Sequence, residues 1–513
     1  MTTIKPDLQS EIGRIPPELH SHFIEFLGSC IYGGLWVGED SEIPNYHGLR
    51  KDAVDALKAL EPPVIRWPGG CYADTYHWRD GIGPREKRPV TYNENFGTYE
   101  ADSNQFGTHE FMELCRLVGA RPWLNINLMS GTVAEMRDWM EYCNRKEGTT
   151  LSAERAQNGS KEPFRVELWG VGNEMWAGGG TSTPESYANE YRKYASAFPS
   201  FVSLDPADTD RPVMKRIASG PDGNKPLERV KWTKQFFQAL GQFRQPPIDA
   251  MDLHFYNWNL DHGMHPETEF DEPEWDAVIH GCLELEEIIQ EQAALIQEGL
   301  DQFPPQEGPE IFRGPRKTCD LVVGEWGNWH GGAFQNRPAL YQQCTMRDAI
   351  TTALTLDIFH RNCRLVRMAC VAQTVNVLNS LILTEKDVCI LTPNYDVFQM
   401  YKVHRNATAL ELKLEQADDK LYAFASRKDS QVYLNLVNTD MTREKEAVLE
   451  LPGARCLSGS ILASDDPHAC NTADAPNRIR AKAAALPAQN GSRFQFTLPA
   501  ASVHTYTFEL SES

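Results

Sequence analysis

The sequence has little positive charge for its length. Its 513 residues carry 50 lysines and arginines against 71 aspartates and glutamates, a formal net charge of −21 at pH 7. Proteins that bind nucleic acids or anionic membranes need a basic surface, so this balance argues against both kinds of partner. Net acidity is also a common means of keeping a protein soluble. A neutral substrate fits this composition better than an anionic one.

A long apolar segment is also missing. The longest apolar stretch, 365–383, contains an arginine, a glutamine and two asparagines, and is too polar to face lipid. Residues 1–7 show no apolar run after a basic start, unlike a secretory signal. We therefore expect a cytoplasmic protein without a transmembrane segment.

The cysteines and histidines show no metal-binding pattern. Twelve cysteines are spread along the chain without a Cys-x-x-Cys motif, and the closest pair, Cys363 and Cys370, is seven residues apart. Free, mostly buried thiols are expected. His262 and His265 are separated by two residues, but no third ligand and no zinc-protease helix pattern accompanies them. The sequence predicts no metal and no cofactor.

Eight short apolar runs alternate with segments of helical spacing. The predicted strands are 28–33, 64–67, 122–128, 166–171, 213–219, 250–256, 321–326 and 366–374. The predicted helices include 49–60, 110–117, 134–142, 187–198 and 275–296. No Gly-x-Gly-x-x-Gly turn follows the first run, which argues against an open dinucleotide-binding sheet. The pattern predicts an α/β fold, a (β/α)8 TIM barrel, in which active sites lie at the carboxyl ends of the strands.

After about residue 403 the pattern changes to alternating apolar and polar positions. Residues 420–426, 431–437 and 502–510 have this period of two, which is typical of a small antiparallel β-sandwich. We expect a catalytic barrel over 17–403 and a β-sandwich domain formed by 1–16 and 404–513, with the amino-terminal residues as an edge strand. The segment 465–490 is expected to be an exposed loop without chemistry.

Two glutamates end apolar runs and are flanked by glycine and tryptophan. Glu174 lies in 169–176, after the fourth run, and Glu325 lies in 321–328, at the seventh. A carboxylate beside apolar groups is costly unless it is paired or hydrogen-bonded, and either glutamate alone could pair with a buried arginine. Glycosidases need one carboxyl group to protonate the leaving oxygen and another beneath the anomeric carbon. Two such glutamates therefore indicate a catalytic pair.

The neighbours of the two glutamates suggest separate roles. Asn173 could hold a sugar hydroxyl next to the reacting carbon, and nearby tryptophans such as Trp176 could exclude water and raise the pKa of Glu174 into the range of a general acid. Glu325, between Gly324 and Trp326, fits the nucleophile.

Two further segments carry candidate site residues. Arg66 precedes an abrupt Pro-Gly-Gly turn that lets the backbone approach a ligand closely, and it could anchor neighbouring carboxylates. Tyr256 ends the sixth run and could donate its hydroxyl to the nucleophile and keep it ionised. The alternative is that His254 and Tyr256 are satisfied core residues.

These segments resemble glycoside hydrolase family 51, the α-L-arabinofuranosidases. The resemblance covers most of the chain. It rests on residues 22–28, 66–70, 77–84, 104–107, 172–175, 324–326 and 372–377.

The resemblance implies a (β/α)8 barrel with a C-terminal β-sandwich and a retaining double displacement. Glu174 would be the acid/base and Glu325 the nucleophile. The residues implied to bind arabinofuranose are Glu25, Asn173, Tyr256 and Gln373, and those implied to support the carboxylates are Arg66 and His254. Many members assemble as trimers or hexamers, so a homo-oligomer is expected.

Cys71 departs from a pattern associated with the family. Many members carry Asn-Phe after the Gly-Gly turn, where this chain has Cys71 and Tyr72. An asparagine would bond a furanose hydroxyl, and a thiol is a much weaker donor, so the sugar preference at this contact is open. Cys71 is not favoured as a nucleophile, because no activating base stands beside it in sequence.

The sequence thus predicts an exo-acting α-L-arabinofuranosidase. Its substrates would be oligosaccharides from arabinoxylan or arabinan that carry terminal arabinofuranosyl residues. One alternative is an endo-β-1,4-glucanase or xylanase with the same two glutamates, because the fold and the acid/base pair do not determine the sugar. Another is a carbohydrate-binding homologue that keeps the fold without turnover.

Overall fold

The computed structural model describes residues 1–95, 98, 100–201, 212–259, 266–303 and 318–511. His262 and His265, considered above as a metal pair, lie outside these ranges. Among the described helices, none is long and apolar enough to cross a bilayer.

Eight parallel strands close into a barrel and follow one another around it in chain order. Numbered 1 to 8, they are Ser21–Phe23, Val64–Trp67, Arg121–Ile126, Leu168–Val171, Lys215–Asp222, Ala250–Asn259, Asp320–His330 and Val366–Val371. Strands 2 and 4 are buried along their whole length, as expected for parallel strands covered on both faces. The predicted (β/α)8 fold is confirmed.

The first strand is not where the sequence pattern placed it. Strand 1 is Ser21–Phe23, whereas residues 28–33 form turns and an isolated bridge. Gly28 and Gly33 have φ of +50° and +81°, values that glycine adopts in turns. The true strand contains a buried serine and a buried histidine, so it does not read as an apolar run. The prediction for this strand was wrong.

Nine α-helices lie in the described part of the chain. They are α1 Lys51–Leu60, α2 Thr108–Val118, α3 Val133–Asn144, α4 Thr150–Gln157, α5 Pro184–Ser196, α6 Pro226–Leu240, α7 Glu272–Asp301, α8 Met346–Arg361 and α9 Pro393–Tyr401. The five predicted helices correspond to α1, α2, α3, α5 and α7. Helix α8 was not predicted because it is buried on every side from Met346 to His360, and a fully buried helix shows no amphipathic period.

Local signals set several helix ends. The side-chain oxygen of Thr132 accepts the N–H of Glu135 at the start of α3, a typical N-cap. Helix α2 ends at Gly119, whose φ of +78° closes the last turn in the left-handed conformation.

Ten strands outside the barrel form one sheet around an apolar core. Across the sheet they are Lys482–Ala483, Ala454–Ala463, Ser502–Leu510, Gln431–Asn438, Leu421–Lys428, Thr408–Glu415, Thr2–Arg14, Lys445–Glu450, Arg493–Leu498 and Ala488–Asn490. Its core includes Ile4, Leu434, Phe494 and Phe508. The expected C-terminal antiparallel domain is confirmed.

Two expectations about this sheet were wrong. Thr2–Arg14 is not an edge strand, because it lies between Thr408–Glu415 and Lys445–Glu450 and pairs in parallel with the latter. The segment 465–490 is not wholly exposed either. Asn471 is 1% exposed, and its Nδ2 donates to the main-chain oxygens of Leu391 and Ile479.

Three two-stranded pairs complete the described strands. They are Asn45–Tyr46 with Leu49–Arg50, Thr91–Asn93 with Glu100–Asp102, and Ile382–Glu385 with Val388–Leu391.

The residues fall into two compact units by their contacts. The first, here called the sheet unit, comprises Met1–Ser21, Tyr256–Ile289 and Trp326–Ser513 and contains the ten-stranded sheet. The second, here called the glutamate unit, comprises His22–Phe255 and Gln290–Glu325 and contains both candidate catalytic glutamates.

Candidate active site

Glu174 and Glu325 lie side by side in the glutamate unit. Glu174 follows the carboxyl end of strand 4, and Glu325 lies in strand 7. An oxygen of each carboxyl group and a ring nitrogen of His254 all lie within 4.8 Å of one another. The two glutamate side chains are 14% and 6% exposed. This spacing fits a retaining glycosidase, whose carboxyl groups stand about 5–5.5 Å apart, better than an inverting enzyme.

The backbone at Glu174 is held in an uncommon conformation. Its φ of +39° lies in the left-handed region, which a non-glycine residue adopts only when its surroundings compel it. The hydroxyl of Tyr187 donates to the oxygen of Val171 over 2.6 Å, and the N–H of Met175 donates to the hydroxyl oxygen of Ser219 over 3.2 Å. These contacts hold the chain on either side of Glu174.

The surroundings of Glu174 favour its protonated form. Burial raises the pKa of Glu174, and the negative charge of Glu325 raises it further, while the hydrogen bond from His254 acts in the opposite direction. A raised pKa keeps a proton on this carboxyl group at higher pH, as a general acid requires.

Glu325 is held by a fully buried arginine. Arg66 Nη1 lies 2.6 Å from Glu325 Oε1, and Arg66 Nη2 lies 2.5 Å from Asn173 Oδ1. The guanidinium also lies over the rings of Phe23 and Trp123, with its central carbon 4.4 and 5.2 Å from their centroids. One planar cation thereby compensates the charge of Glu325 and orients Asn173.

His254 is a cation between carboxylates. Its Nδ1 lies 2.8 Å from Glu174 Oε1, and its Nε2 lies 3.0 Å from Asp252 Oδ2. Burial acts to lower the pKa of His254, but the charges of Glu325 and Asp252 outweigh it and raise the pKa to about 10. The imidazolium therefore donates from both nitrogens.

Asp252 was not singled out from the sequence, yet it completes this arrangement. Its Oδ1 accepts the N–H of Gly324 over 2.5 Å, next to Glu325 in the chain. A Cβ on Gly324 would lie 2.3 Å from Asp252 Oδ2, so any larger residue there would push the Asp252 carboxyl group out of its contacts. The sequence could have indicated this contact, because residues 252 and 254 lie two apart in one strand and their side chains therefore face the same side.

The distances among Glu174, His254 and Glu325 would also suit a metal ion. A histidine that donates protons from both nitrogens has no lone pair left for a metal. Both ring nitrogens of His254 face carboxyl groups at hydrogen-bonding distance, so only a neutral ring turned from one of these contacts could bind a metal.

Three predicted sugar-binding residues lie in the same unit. Glu25 is 3% exposed and accepts a hydrogen bond from Asn95. Asn173 Nδ2 is buried and has no hydrogen-bond partner among the described residues, which leaves a donor for a ligand. Cys71 Sγ lies 3.8 Å from Glu174 Oε2, and burial, with the nearby carboxylates, raises the pKa of this thiol well above its usual value. A neutral thiol is a poor nucleophile.

The remaining predicted residues are placed as follows. Trp176 is half-buried in the glutamate unit, and its Nε1 donates to the oxygen of Gly220 over 3.2 Å. Tyr256 and Gln373 lie in the sheet unit, where they are 6% and 1% exposed. The ring of Tyr256 packs edge-on against Trp329, with 5.3 Å between centroids. The structure thus brings eight of the ten predicted residues into one unit: Glu25, Arg66, Cys71, Asn173, Glu174, Trp176, His254 and Glu325.

Comparisons with known proteins show the family of the chain. Residues 56–273 match the model of the alpha-L-arabinofuranosidase 1 domain, and residues 324–502 match that of the alpha-L-arabinofuranosidase C-terminal domain. The chain is 36% identical to an intracellular exo-alpha-L-arabinofuranosidase of Bacteroides ovatus, over 98% of this chain and 94% of that protein.

Solved structures show the same fold over the whole chain. The GH51 arabinofuranosidase from Xanthomonas axonopodis pv. citri is 34% identical, with a TM-score of 0.86 and 99% of each chain covered. The arabinose complex of an alpha-L-arabinofuranosidase from Thermotoga maritima is 27% identical, with a TM-score of 0.83, and the match covers 99% of this chain and 100% of that one.

Proposed function

The chain belongs to the glycoside hydrolase family 51 α-L-arabinofuranosidases, and from that premise we propose how its own residues act and on which substrates. It is a retaining, exo-acting α-L-arabinofuranosidase. Its proposed substrates are oligosaccharides from arabinoxylan or arabinan, from which it removes terminal non-reducing α-L-arabinofuranosyl residues.

In the proposed first step, Glu325 attacks the anomeric carbon and Glu174 donates its proton to the departing oxygen. The glycosidic bond breaks, and the arabinofuranosyl group is bound covalently to Glu325. In the second step, Glu174 removes a proton from water, and the water oxygen displaces Glu325 from the anomeric carbon. Two inversions release arabinose with retained configuration.

The observation that carries these roles is the difference between the partners of two neighbouring carboxyl groups. Glu325 is paired with a buried guanidinium at 2.6 Å, which suits an anionic nucleophile. Glu174 has a pKa raised by burial, which suits a proton donor. Two neighbouring carboxyl groups can act as proton donor and nucleophile when their surroundings keep one protonated and the other ionised.

The proposed sugar contacts are Glu25, Cys71, Asn173, Tyr256 and Gln373. The buried Asn173 Nδ2, which has no hydrogen-bond partner in the described parts of the chain, is the proposed donor to a furanose hydroxyl. Arg66, His254 and Trp176 support the carboxyl groups or the chain beside them. No cofactor is needed for either step.

An assay panel tests the proposal. The enzyme should hydrolyse an aryl α-L-arabinofuranoside and release arabinose from linear arabinan oligomers. It should act weakly or not at all on an aryl β-D-xyloside and on cellulose. Oligomer release from xylan or cellulose would instead indicate the endo-acting alternative, and no hydrolysis of any substrate would indicate a binding protein. Proton NMR of the first-formed anomer tests retention.

Location, assembly and domain boundaries are proposed as well. We infer an intracellular homo-oligomer, a trimer or hexamer, and the Bacteroides relative is named as intracellular. We also propose a barrel domain over 17–403 and a sandwich over 1–16 and 404–513. Pairing of Thr2–Arg14 with Thr408–Glu415 supports that second grouping. Light scattering of the purified enzyme should give three or six times the chain mass.

A further inference from the structure

Asp74 is a buried carboxyl group without a part in the proposed mechanism. It lies in the short helix Cys71–Thr75 that follows strand 2, and it is 0% exposed. Its Oδ1 accepts the N–H of Leu128 over 3.2 Å. Its Oδ2 is buried and has no hydrogen-bond partner among the described residues. Because an ionised carboxylate with an unpaired buried oxygen is costly, these surroundings select the protonated acid.

Asp74 faces the segment that carries the proposed acid/base. The N–H of Asn173 points towards its carboxyl group, and the charges of Arg66 and Glu174 act on it with opposite signs. Burial is the largest influence and raises the pKa of Asp74 to about 8. The charge of Asp74 also acts on Cys71, Tyr187 and Tyr194, and His77 Nε2 lies 3.4 Å from the Ser130 hydroxyl that bonds to its main chain.

Three loops at the carboxyl end of the barrel meet at this residue. The main-chain oxygen of Asp74 accepts hydrogen bonds from the N–H and the hydroxyl of Ser130, over 3.3 and 3.2 Å. Ser130 and Leu128 belong to the loop after strand 3, and Asn173 belongs to the loop after strand 4. Asp74 itself belongs to the loop after strand 2.

We propose that Asp74 is a positioning residue that, as an uncharged acid, joins the loops after strands 2, 3 and 4 and, through the main chain at Asn173, holds Glu174 in the orientation for proton transfer. The inference rests on the proposed acid/base role of Glu174. In its ionised form, Asp74 would add a negative charge near Glu174.

The test compares two substitutions on substrates that differ only in their leaving group. Asp74→Asn keeps the shape, an acceptor oxygen and the absence of charge, so kcat/KM should stay within about threefold of the wild type. Asp74→Leu removes the acceptor. Its kcat/KM should fall about 10- to 100-fold for phenyl α-L-arabinofuranoside but less than about threefold for the dinitrophenyl compound, whose departure needs no proton.

Ser130→Ala is the matched control, because it removes a hydrogen bond to the main chain of Asp74 and leaves the carboxyl group intact. Its kcat/KM should stay within about twofold for both substrates. Equal losses on both substrates in Asp74→Leu would overturn the inference, as would an Asn variant as impaired as the Leu variant. A wild-type enzyme inactive on both substrates would overturn the proposed function itself.

Thermal unfolding of the wild type and Asp74→Asn tests the inference even if Asp74→Leu does not fold. Folding raises the pKa of Asp74 from its ordinary value of 3.8 to about 8. The wild type should therefore lose stability relative to Asp74→Asn as the pH rises between these two values, and the difference should level off above about pH 8. A difference that does not change with pH would overturn the inference.

Discussion

Arg66 Nη1 lies 2.6 Å from Oε1 of Glu325, and the two side chains are 0% and 6% exposed. Both charges are removed from water, so the pair compensates each of them, and Arg66 is the nearer of the two cations beside Glu325. The second nitrogen of the guanidinium contacts Asn173. One planar group thereby links the proposed nucleophile to a residue proposed to bind the sugar.

Replacing Arg66 with leucine should therefore harm stability and activity together. Loss of one partner from a buried ion pair costs about 3–5 kcal/mol, because the carboxylate of Glu325 stays buried with only the more distant His254 ring, at 3.5 Å, as a counter-charge. Arg66→Lys keeps the charge but cannot contact Glu325 and Asn173 with two nitrogens, so it should fall between leucine and wild type. Chemical denaturation and kcat/KM on an aryl arabinofuranoside measure both effects. Equal stability of the three proteins would contradict this account.

Glu325→Ala should abolish turnover on every substrate. Without the nucleophile no covalent intermediate forms, and we expect kcat to fall by about 10⁴-fold or more. The loss should be the same for good and poor leaving groups, as judged by steady-state kinetics on a series of aryl arabinofuranosides. Retained activity on a dinitrophenyl substrate would assign the nucleophile to another residue.

Glu174→Ala should behave differently. Substrates with good leaving groups need little protonation, so formation of the glycosyl intermediate should survive, within about tenfold of the wild type for a dinitrophenyl arabinofuranoside. Breakdown of that intermediate then lacks its base. Added azide should restore the overall rate and yield an arabinofuranosyl azide of retained configuration, detectable by NMR. If azide neither accelerates the reaction nor appears in the product, Glu174 is not the acid/base.

The site residues that could be predicted from the sequence are those whose neighbours in the chain form a recognisable pattern. Glu174 and Glu325 each come after an apolar run that contains a glycine, and the structure places Glu174 just after strand 4 and Glu325 within strand 7. Strand 1 was misplaced because its serine and histidine are buried between covered faces, so local polarity gave the wrong answer.

Contacts between distant segments could not be predicted in this way. The chain around Asp74 resembles an ordinary turn, and only folding brings Leu128 and Asn173 to its carboxyl group. Helix α8 was missed for a related reason, since burial on every side removes the period by which a helix is recognised. In both cases the sequence pattern does not show which residues surround the segment after folding.

Cys71→Ala should have a small effect on catalysis. The thiol lies 3.8 Å from Glu174 Oε2 and is neutral, and a neutral thiol is a weak donor, so kcat/KM should fall by no more than about threefold. Cys115→Ala is a control, because it removes a buried thiol in α2, away from the two glutamates, and should affect only stability. A loss of 100-fold or more in Cys71→Ala alone would assign the thiol a larger role in sugar binding.

His254→Gln should move the alkaline side of the pH profile to higher pH. In the wild type the pKa of His254 is raised to about 10 by Glu325 and Asp252 against the effect of burial, so the ring stays charged at neutral pH. Its hydrogen bond lowers the pKa of Glu174. A neutral glutamine would not lower the pKa of Glu174 in this way, so Glu174 should keep its proton to higher pH. The alkaline fall in kcat/KM should then begin at a higher pH than in the wild type.

The control for this shift is His109→Gln, because His109 pairs with the hydroxyl of Tyr142 and has a pKa lowered to about 4 by burial. That variant should leave the profile unchanged. The folded-state pKa of His254 lies above its ordinary value of 6.5, so the stability it contributes is present below that value and is lost as the pH rises through about 10. The difference in melting temperature between wild type and His254→Gln should narrow over the same interval. A difference that instead grows with pH would mean that His254 is neutral in the folded enzyme.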